Sequence, residues 1–449
     1  QHSAGEFVYI LDGDMEMLPG FLPEALAFIQ AHPAVAGVGG RVVEMNTSSL
    51  EYLARVERGM GHMQAGEVDR LDMGGLYRRT AVEQAGYFSD RNLHSFEEFD
   101  LAVRLREPGN EHARMLASEM AAAMAGGVTS LVCPPDTDPV LDEPGLVEML
   151  KFRAEKLHLS RVFPLGALTR GLHGEALTEM IELTESGCVG FSQAEVPLGN
   201  TQVLMRAMQY AATFGYAIWL RPQEMHLGKG VAASGALATR LGLSSVPVAA
   251  ETIALHTIFE LVRATGARVH LCRISSAAGV ALMAQAKAEG LRVTCDVSIN
   301  SLHLTDVDIG YFDSRMRLDP PLRQQRDRDA LRRGLLDGTI DALVSDHSPV
   351  GADAKTLPFA ESEPGATGLE LLLSLACKWG NDSEAGIGRM LAVLTCEPAR
   401  VLGQALGTLK VMLGDNPTPV AEVPLVALEA VEEAGILGRA WDSIRLWIK

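Results

Sequence analysis

The sequence predicts an α/β protein built around a closed barrel of eight strand–helix units. Short apolar segments rich in β-branched residues alternate with segments of helical periodicity, such as 146–157 and 280–289. Strands joined by crossover helices form parallel sheets, and seven or eight such units in about 300 residues favour a barrel over an open sheet. The predicted strands are 128–133, 162–167, 188–191, 217–220, 268–274, 292–297 and 342–345.

The composition is typical of a soluble globular chain with room for two or three domains in 449 residues. The net charge of −18 opposes binding to nucleic acid or anionic membranes, because phosphate contacts need clustered Lys and Arg. Six scattered cysteines without a CxxC pair indicate reduced thiols, and no apolar run reaches transmembrane length. We therefore predict a cytoplasmic protein with neither a nucleic-acid nor a membrane partner.

The N-terminal segment GEFVYILDGD is an apolar run that ends in Asp12 and Asp14. A strand that delivers two carboxylates to its edge can present oxygen ligands to a divalent cation such as Mg²⁺. An Asp-Gly pair is also ordinary turn chemistry, so the residues leave both interpretations open.

Further motifs follow in order: VGGR at 38–41, GGLYRR at 74–79 and EEFDL at 97–101. With them, residues 5–105 resemble the second half of a family 2, GT-A-type glycosyltransferase. The resemblance implies that Asp12 and Asp14 hold a metal-bound sugar nucleotide and that Glu98, or its neighbour Glu97, is the general base. The family's nucleotide-binding first half is absent from the sequence, so we expect a truncated α/β segment and no working transferase.

A second set of motifs begins at residues 100–109, DLAVRLREPG. It continues with AGGVTSLVCPPDT (125–137), TGARVHLCRISSA (265–277), LDPPLR (318–323), DGTIDALVSDHSP (337–349) and CEPARVLG (396–403). Over about residues 100–403 the chain resembles the dihydroorotases of the amidohydrolase superfamily. The resemblance implies a TIM-like (β/α)₈ barrel of amidohydrolase type, with its chemistry at the carboxyl ends of the strands.

Dihydroorotases hold two zinc ions through imidazoles and carboxylates, and this sequence has lost those ligands. Arginine carries no lone pair for a metal, and no acid stands at the bridging-carboxylate position within 190–193. Asp346, which in the family is ligand and general base together, remains as a vestige. We therefore expect no zinc and no other cofactor. The lost ligand positions are Ala102, Arg104, Gln193, Arg221 and Arg273.

The substrate-binding positions are also altered. The resemblance implies that Arg106 still binds a carboxylate, but Asp136 and Asp319 replace amides. We expect the arginines at the former ligand positions to turn inward and pair with Asp346, Asp136 or Asp319, since an unpaired buried carboxylate is costly. The alternative is that they turn outward into solvent. Three histidines remain to be weighed as ligands: His270, His303 and His347. The alternation within its strand favours a packing role for His270, and His347 lies on the opposite phase from Asp346.

The C-terminal residues 411–449 faintly resemble the entry segment of a fold-type II pyridoxal-phosphate enzyme, and an amphipathic helix over 426–438 is the alternative. We predict three parts: a glycosyltransferase-like segment 1–98, a dihydroorotase-like barrel 99–404 and a helical tail 405–449. The three resemblances raise the hypothesis of a chimeric chain joined near DLAVRLR.

The leading functional prediction is a noncatalytic dihydroorotase homologue that assists assembly in pyrimidine biosynthesis. Within this family such chains resemble inactive partners of aspartate transcarbamoylase, and the sequence leaves an oligomer open. Two alternatives remain: a metal-dependent cyclic amidohydrolase, and a family 2 glycosyltransferase fragment.

Overall fold

A computed structural model describes residues 5–11, 17, 20–33, 35–40, 74–84, 116–403, 408–411 and 421–424. The chain divides into two compact units, Gln1–Ala113 and Arg114–Lys449. The domain boundaries predicted at residues 98 and 404 both fall outside the described residues and stay predictions.

The N-terminal unit contains a three-stranded antiparallel sheet of order β1-β3-β2. The predicted apolar run forms β1, and Ala25, Ile29 and Leu76 form the buried core between helix α1 and the sheet. Asp12, Asp14, Glu97 and Glu98 lie outside the described residues, so the glycosyltransferase resemblance and its metal site stay predictions. The elements are β1 (Phe7–Leu11), α1 (Phe21–Ala31), β2 (Gly37–Val38), β3 (Gly74–Arg78) and α2 (Arg79–Gln84).

The second unit alternates strands and helices, as the sequence predicts. Its strands are β4 (Ser130–Cys133), β5 (Arg161–Pro164), β6 (Gly166–Ala167), β7 (Phe191–Ser192), β8 (Ala217–Leu220), β9 (Ala232–Ala233), β10 (Ser245–Val246), β11 (Arg268–Leu271), β12 (Val293–Ser298), β13 (Ala342–Val344), β14 (Thr408–Val411) and β15 (Ala421–Pro424). Its α-helices are α3 (Leu116–Ala125), α4 (Pro144–Leu157), α5 (Met180–Glu185), α6 (Thr201–Phe214), α7 (Ala236–Leu241), α8 (Val248–Thr265), α9 (Ala277–Ala288), α10 (Ile299–His303), α11 (Gln325–Asp337), α12 (Ala352–Thr356), α13 (Leu372–Asp382), α14 (Gly386–Ala392) and α15 (Cys396–Leu402).

The main strands are parallel and neighbour one another in chain order. A six-stranded sheet runs β6-β7-β8-β11-β12-β13, and β4 pairs with β5. Leu165 joins β5 to β6 and donates its backbone N–H to Cys133, so the two sheets continue into each other. Sequential parallel order is that of a barrel. The first predicted barrel strand, with Ala102, Arg104 and Arg106, and the tail helix predicted over 426–438 lie outside the described residues.

Local capping interactions set where helices α6 and α9 begin and where α6 ends. The Asn200 side chain accepts from the N–H groups of Gln202 and Val203 at the start of α6, and Gly215 ends that helix in the left-handed region. Helix α9 begins after Ser276, whose hydroxyl accepts from Gly279 at 2.9 Å. This cap fixes the loop between β11 and α9, which carries part of the site.

The buried interior is apolar, and all six cysteines are free. Burial raises the pKa of the Cys133 and Cys188 thiols to about 12, so both are protonated at neutral pH. In the part of the chain that the structure describes, no helix is long and apolar enough to cross a membrane.

Candidate functional site

The carboxyl ends of four parallel strands bring charged side chains together. Arg221 directly follows β8, Arg273 comes two residues after β11, and Asp346 comes two residues after β13. Glu195 lies on the loop after β7, and Asp319 reaches the same cluster from a loop beyond β12. Because parallel strands end at one edge, residues far apart in sequence converge there.

Arg221 is held by two carboxylates. Its guanidinium donates to both oxygens of Asp319, to Oδ2 at 2.6 Å and also to Oδ1, in the two-pronged geometry that matches arginine to a carboxylate. Its Nη1 also lies 2.6 Å from Oε2 of Glu195. Only 7% of the Arg221 side chain is exposed, so these contacts fix its position.

Arg273 is paired in the same way with a different carboxylate. Its Nη1 donates to Oδ1 of Asp346 at 2.9 Å, and its Nη2 donates to Glu195. The two side chains are 13% and 11% exposed. The backbone of both residues adopts positive φ, 56° at Arg273 and 48° at Asp346, a region that non-glycine residues enter rarely. The ion pair therefore joins two strained strand ends.

The predicted inward turn of the arginines is confirmed for Arg273 with Asp346 and for Arg221 with Asp319. Arg104 lies outside the described residues. Asp136 is exposed and makes no hydrogen bond with Arg221 or Arg273, so its predicted place in the network is wrong for these two arginines. The turn after β4 carries Asp136 into solvent instead.

No acid stands within 190–193, but an acid just beyond this range, which the sequence analysis missed, joins the cluster. Glu195 follows Gln193 by two residues and bridges Arg221 and Arg273 through its two oxygens. Gln193 turns into the protein, where it accepts from Thr169 at 2.9 Å and donates to the Leu172 carbonyl at 2.7 Å. Periodicity places strand residues but not the path of the following loop, and the only sequence signal was an acid soon after a strand end.

The electrostatics favour ionised partners. Burial alone would raise the pKa of Asp319, but the hydrogen bond and charge of Arg221, with the charges of Arg273 and Arg317, lower that pKa below its ordinary value. Burial opposes the charge of Arg273, and Asp346 raises the pKa of that arginine through its charge and hydrogen bond. The lowered pKa of Asp319 and the raised pKa of Arg273 both favour the charged forms of these two side chains.

The nearby histidines satisfy structural hydrogen bonds. His347 Nδ1 accepts from the N–H groups of Gly368 and Leu369 at 3.0 and 3.2 Å, so its Nε2 carries the proton donated to Glu119 at 2.7 Å. His303 Nε2 donates to the Leu375 carbonyl at 2.9 Å. Neither imidazole nitrogen of His347 is left to bind a metal.

Among the described residues, His270, Cys272 and Asp296 form a group with metal-ligand chemistry, with ligand atoms within 4.8 Å of one another. His270 lies 2.9 Å from Asp296 and 2.8 Å from the Thr294 hydroxyl. Burial, followed by the charge of Asp296, raises the pKa of the Cys272 thiol well above its ordinary value. A protonated thiol beside a satisfied imidazole fits the predicted packing role of His270.

A binuclear zinc centre does not fit these residues. The guanidinium groups of Arg221 and Arg273 stand at positions where the resemblance implies metal ligands, and they offer no lone pair to a metal. Arg273 also takes up the carboxylate of Asp346. Among the described residues, the two guanidinium groups of the cluster are fully engaged by three carboxylates of the chain, Glu195, Asp319 and Asp346.

The second unit has an α/β fold with a parallel sheet and charged residues at its strand ends. The structure is similar to an L-hydantoinase (dihydropyrimidinase) from Arthrobacter aurescens, with a TM-score of 0.57 and 23% identity over 64% of this chain and 66% of that one. It is also similar to dihydroorotase from Saccharomyces cerevisiae, with a TM-score of 0.52 and 13% identity over 64% and 80% of the two chains.

Comparison with known sequences identifies the protein family. A model of the dihydro-orotase-like family matches residues 97–278. The chain is 41% identical to a dihydroorotase-like protein of Pseudomonas aeruginosa over 376 residues, 83% of this chain and 86% of the relative. It is 38% identical to a dihydroorotase of Geobacter sp. (strain M21) over 337 residues, 74% and 79% of the two chains. The chain belongs to the dihydroorotase-like family.

Proposed function

We propose that this protein is a noncatalytic dihydroorotase homologue that assists assembly in pyrimidine biosynthesis, with an aspartate transcarbamoylase chain as its partner. The observation that carries the proposal is the pairing of Arg221 and Arg273 with Asp319, Asp346 and Glu195 at the strand ends. Positive charge that two metal ions would supply in an active relative comes here from two side chains.

The pairing also removes the general base. A carboxylate that takes a proton needs an accessible oxygen and a pKa near the working pH. Asp346 is mostly buried and hydrogen-bonded to Arg273. Asp319, at a position where the resemblance implies a neutral amide, carries a negative charge held by Arg221. An anionic substrate would meet that charge instead of a hydrogen-bond donor.

The partner role rests on the surface that the fold retains. Among the described residues, Tyr311 is 89% exposed, and the apolar Val307 lies exposed in the same segment between helices α10 and α11. Tyrosine is enriched at the centres of protein interfaces, where its ring is buried and its hydroxyl finds a partner. We assign the transcarbamoylase contact to this loop.

The first experiment measures chemistry. We expect purified protein to contain no stoichiometric zinc by elemental analysis and not to interconvert carbamoyl-aspartate and dihydroorotate. About two zinc ions per chain with measurable turnover would refute the noncatalytic assignment and favour the amidohydrolase alternative, since two ions are what a binuclear centre holds.

The second experiment measures assembly. We expect the protein to co-elute with an aspartate transcarbamoylase chain in gel filtration, and Tyr311→Ser to weaken the complex at least tenfold. Ile253→Ser, which removes an exposed apolar side chain from helix α8, is the matched control and should leave binding unchanged. Two separate peaks with the unaltered protein would contradict the partner role.

A further inference from the structure

The amino end of the parallel sheet carries two arginines on neighbouring strands. Arg268 is the first residue of β11, and Arg292 directly precedes β12. The register pairs Val269 with Val293, so the two arginines are adjacent across the strand pair. Neighbouring strands lie about 4.8 Å apart. Two positive charges are therefore held close together, at the end of the sheet opposite to the ion-pair cluster.

This pair of arginines has no carboxylate to balance it in the part of the chain that the structure describes. Burial, followed by the charge of Arg292, lowers the pKa of the Arg268 guanidinium. Both side chains stay protonated, because arginine is not deprotonated in proteins. Glu289, three residues before Arg292, is occupied by Arg263 at 2.6 Å and by Gln285 at 2.9 Å.

The guanidinium of Arg268 also lacks acceptors among the described residues. Its Nε is buried without a hydrogen-bond partner. Its Nη1 lies 3.5 Å from the position of a Cβ added at Gly403, just after helix α15. The end of a helix offers only about half a negative charge. The exposed Arg292 donates to the neutral Gly266 carbonyl at 3.4 Å, so most of the positive charge is left uncompensated.

A packing role does not account for the two arginines. Arg268 pairs in register with Ala217, which belongs to an apolar cluster with Trp219, and Leu402 packs against that cluster. An apolar side chain would fit these surroundings without repulsion between like charges. A buried N–H without an acceptor also costs free energy, so an anion that pairs with Arg268 would remove a penalty as well as add contacts.

We propose that Arg268 and Arg292 form a binding site for a phosphate group. A phosphate monoester carries roughly one and a half to two negative charges at neutral pH, which matches two guanidinium groups better than a monocarboxylate does. Its oxygens can accept from one arginine in two-pronged geometry and from the other at the same time. Inorganic phosphate and a phosphorylated metabolite share this chemistry. The site is separate from the strand-end cluster and does not rest on the proposed assembly role.

Calorimetric titration of the full chain tests the site directly. Sodium phosphate, glycerol phosphate and sodium acetate are compared at matched ionic strength. We expect both phosphate compounds to bind at least tenfold more tightly than acetate, because they bring the larger charge. The tighter of the two identifies the source of the ligand as the free anion or a phosphorylated metabolite. Binding no tighter than that of acetate overturns the proposal.

Variants of the exposed arginine assign the binding to this pair. Arg292→Met should weaken phosphate binding roughly tenfold or more, since a hydrogen bond to a charged group contributes about one factor of ten. Arg292→Lys keeps the charge without the planar fork, so its affinity should fall between the two. The matched control is Arg326→Met on helix α11, whose side chain is 75% exposed, and it should change nothing. Equal weakening by both methionine variants would show diffuse attraction and refute the site.

The half-buried arginine separates ligand binding from a structural role. Without phosphate, Arg268→Met removes a repelled and unpaired guanidinium, so the midpoint of thermal unfolding should stay or rise. Added phosphate should raise the midpoint of the unaltered protein but not that of the variant, because a ligand of the folded state stabilises it. An equal rise in both proteins contradicts the proposal. Circular dichroism first establishes that the variant folds, and if it does not, the Arg292 variants decide.

Discussion

At the scale of single residues, two largely buried ion pairs lie at the strand ends, Arg221 with Asp319 and Arg273 with Asp346. Arg273 and Asp346 are each mostly buried, and each satisfies a group that would otherwise be an uncompensated charge. Breaking a buried ion pair from one side is costly because the surviving charge keeps its desolvation penalty. Removing both partners costs less unfolding free energy than removing one. The difference between the two losses measures the interaction between the side chains.

The first prediction concerns that pair. Arg273→Ala should lower the free energy of unfolding by on the order of 3 kcal/mol, because Asp346 stays buried without its guanidinium. The double variant Arg273→Ala/Asp346→Ala should recover part of the loss, as measured by urea unfolding in a double-mutant cycle. Additive losses would mean that the two side chains do not interact in solution.

The second prediction concerns pH. Arg221 holds the native pKa of Asp319 below the ordinary value of 3.8, so between those values the unfolded state binds more protons. The stability that this carboxylate contributes is present above pH 3.8 and is lost as the pH falls through the native pKa. Urea unfolding at pH 6, 4 and 3 should therefore show a smaller acid loss in Asp319→Asn than in the unaltered protein. The exposed Asp353→Asn serves as control, and equal acid losses in all three proteins would contradict the assignment.

At the scale of elements, the sequence predicted the alternating strands and helices because their signals are local. The predicted strands 217–220 and 342–345 correspond to β8 and β13. The predicted helical segment 280–289 ends one residue after helix α9 ends. The pairing of Arg273 with Asp346 was predictable because parallel strand ends converge. The place of Glu195 in the cluster was not predictable from the sequence. The path of its loop depends on contacts that no periodicity encodes, such as the hydrogen bond from the Ala194 N–H to the Ser192 hydroxyl.

The third prediction tests a close contact between elements. A Cβ added at Gly126, after helix α3, would lie 2.2 Å from the Leu369 carbonyl oxygen, and backbone cannot move aside easily. Gly126→Ala should cost about 1–3 kcal/mol of unfolding free energy, the range for overpacking. Gly388→Ala is the matched control, since nothing lies within 4 Å of that position in helix α14. It should be neutral or stabilising, and equal effects of the two changes would contradict the contact.

At the scale of the whole molecule, the second unit accounts for the family relationship. The N-terminal unit, up to Ala113, has its own small core around Ile29. Separate cores permit separate unfolding, and domain boundaries fall where few contacts cross. The joins predicted near residues 98 and 404 each fall inside one of these units, so proteolysis tests a division that differs from the boundary at Ala113.

The fourth prediction is that limited proteolysis cuts near residues 98 and 405 and leaves a stable barrel fragment, identified by mass spectrometry. Segments that can open locally are cleaved first, because they enter a protease site without global unfolding. Initial cuts within helices α8 or α9 would contradict the three-part organisation.

The double attachment of Arg221 has a consequence for how this chain can evolve. A single Arg221→His change would leave Asp319 and Glu195 facing one side chain without their shared permanent cation. Such a step is destabilising, and its effect depends on its neighbours. A change at Arg221 is therefore best tolerated when its two carboxylate partners change with it.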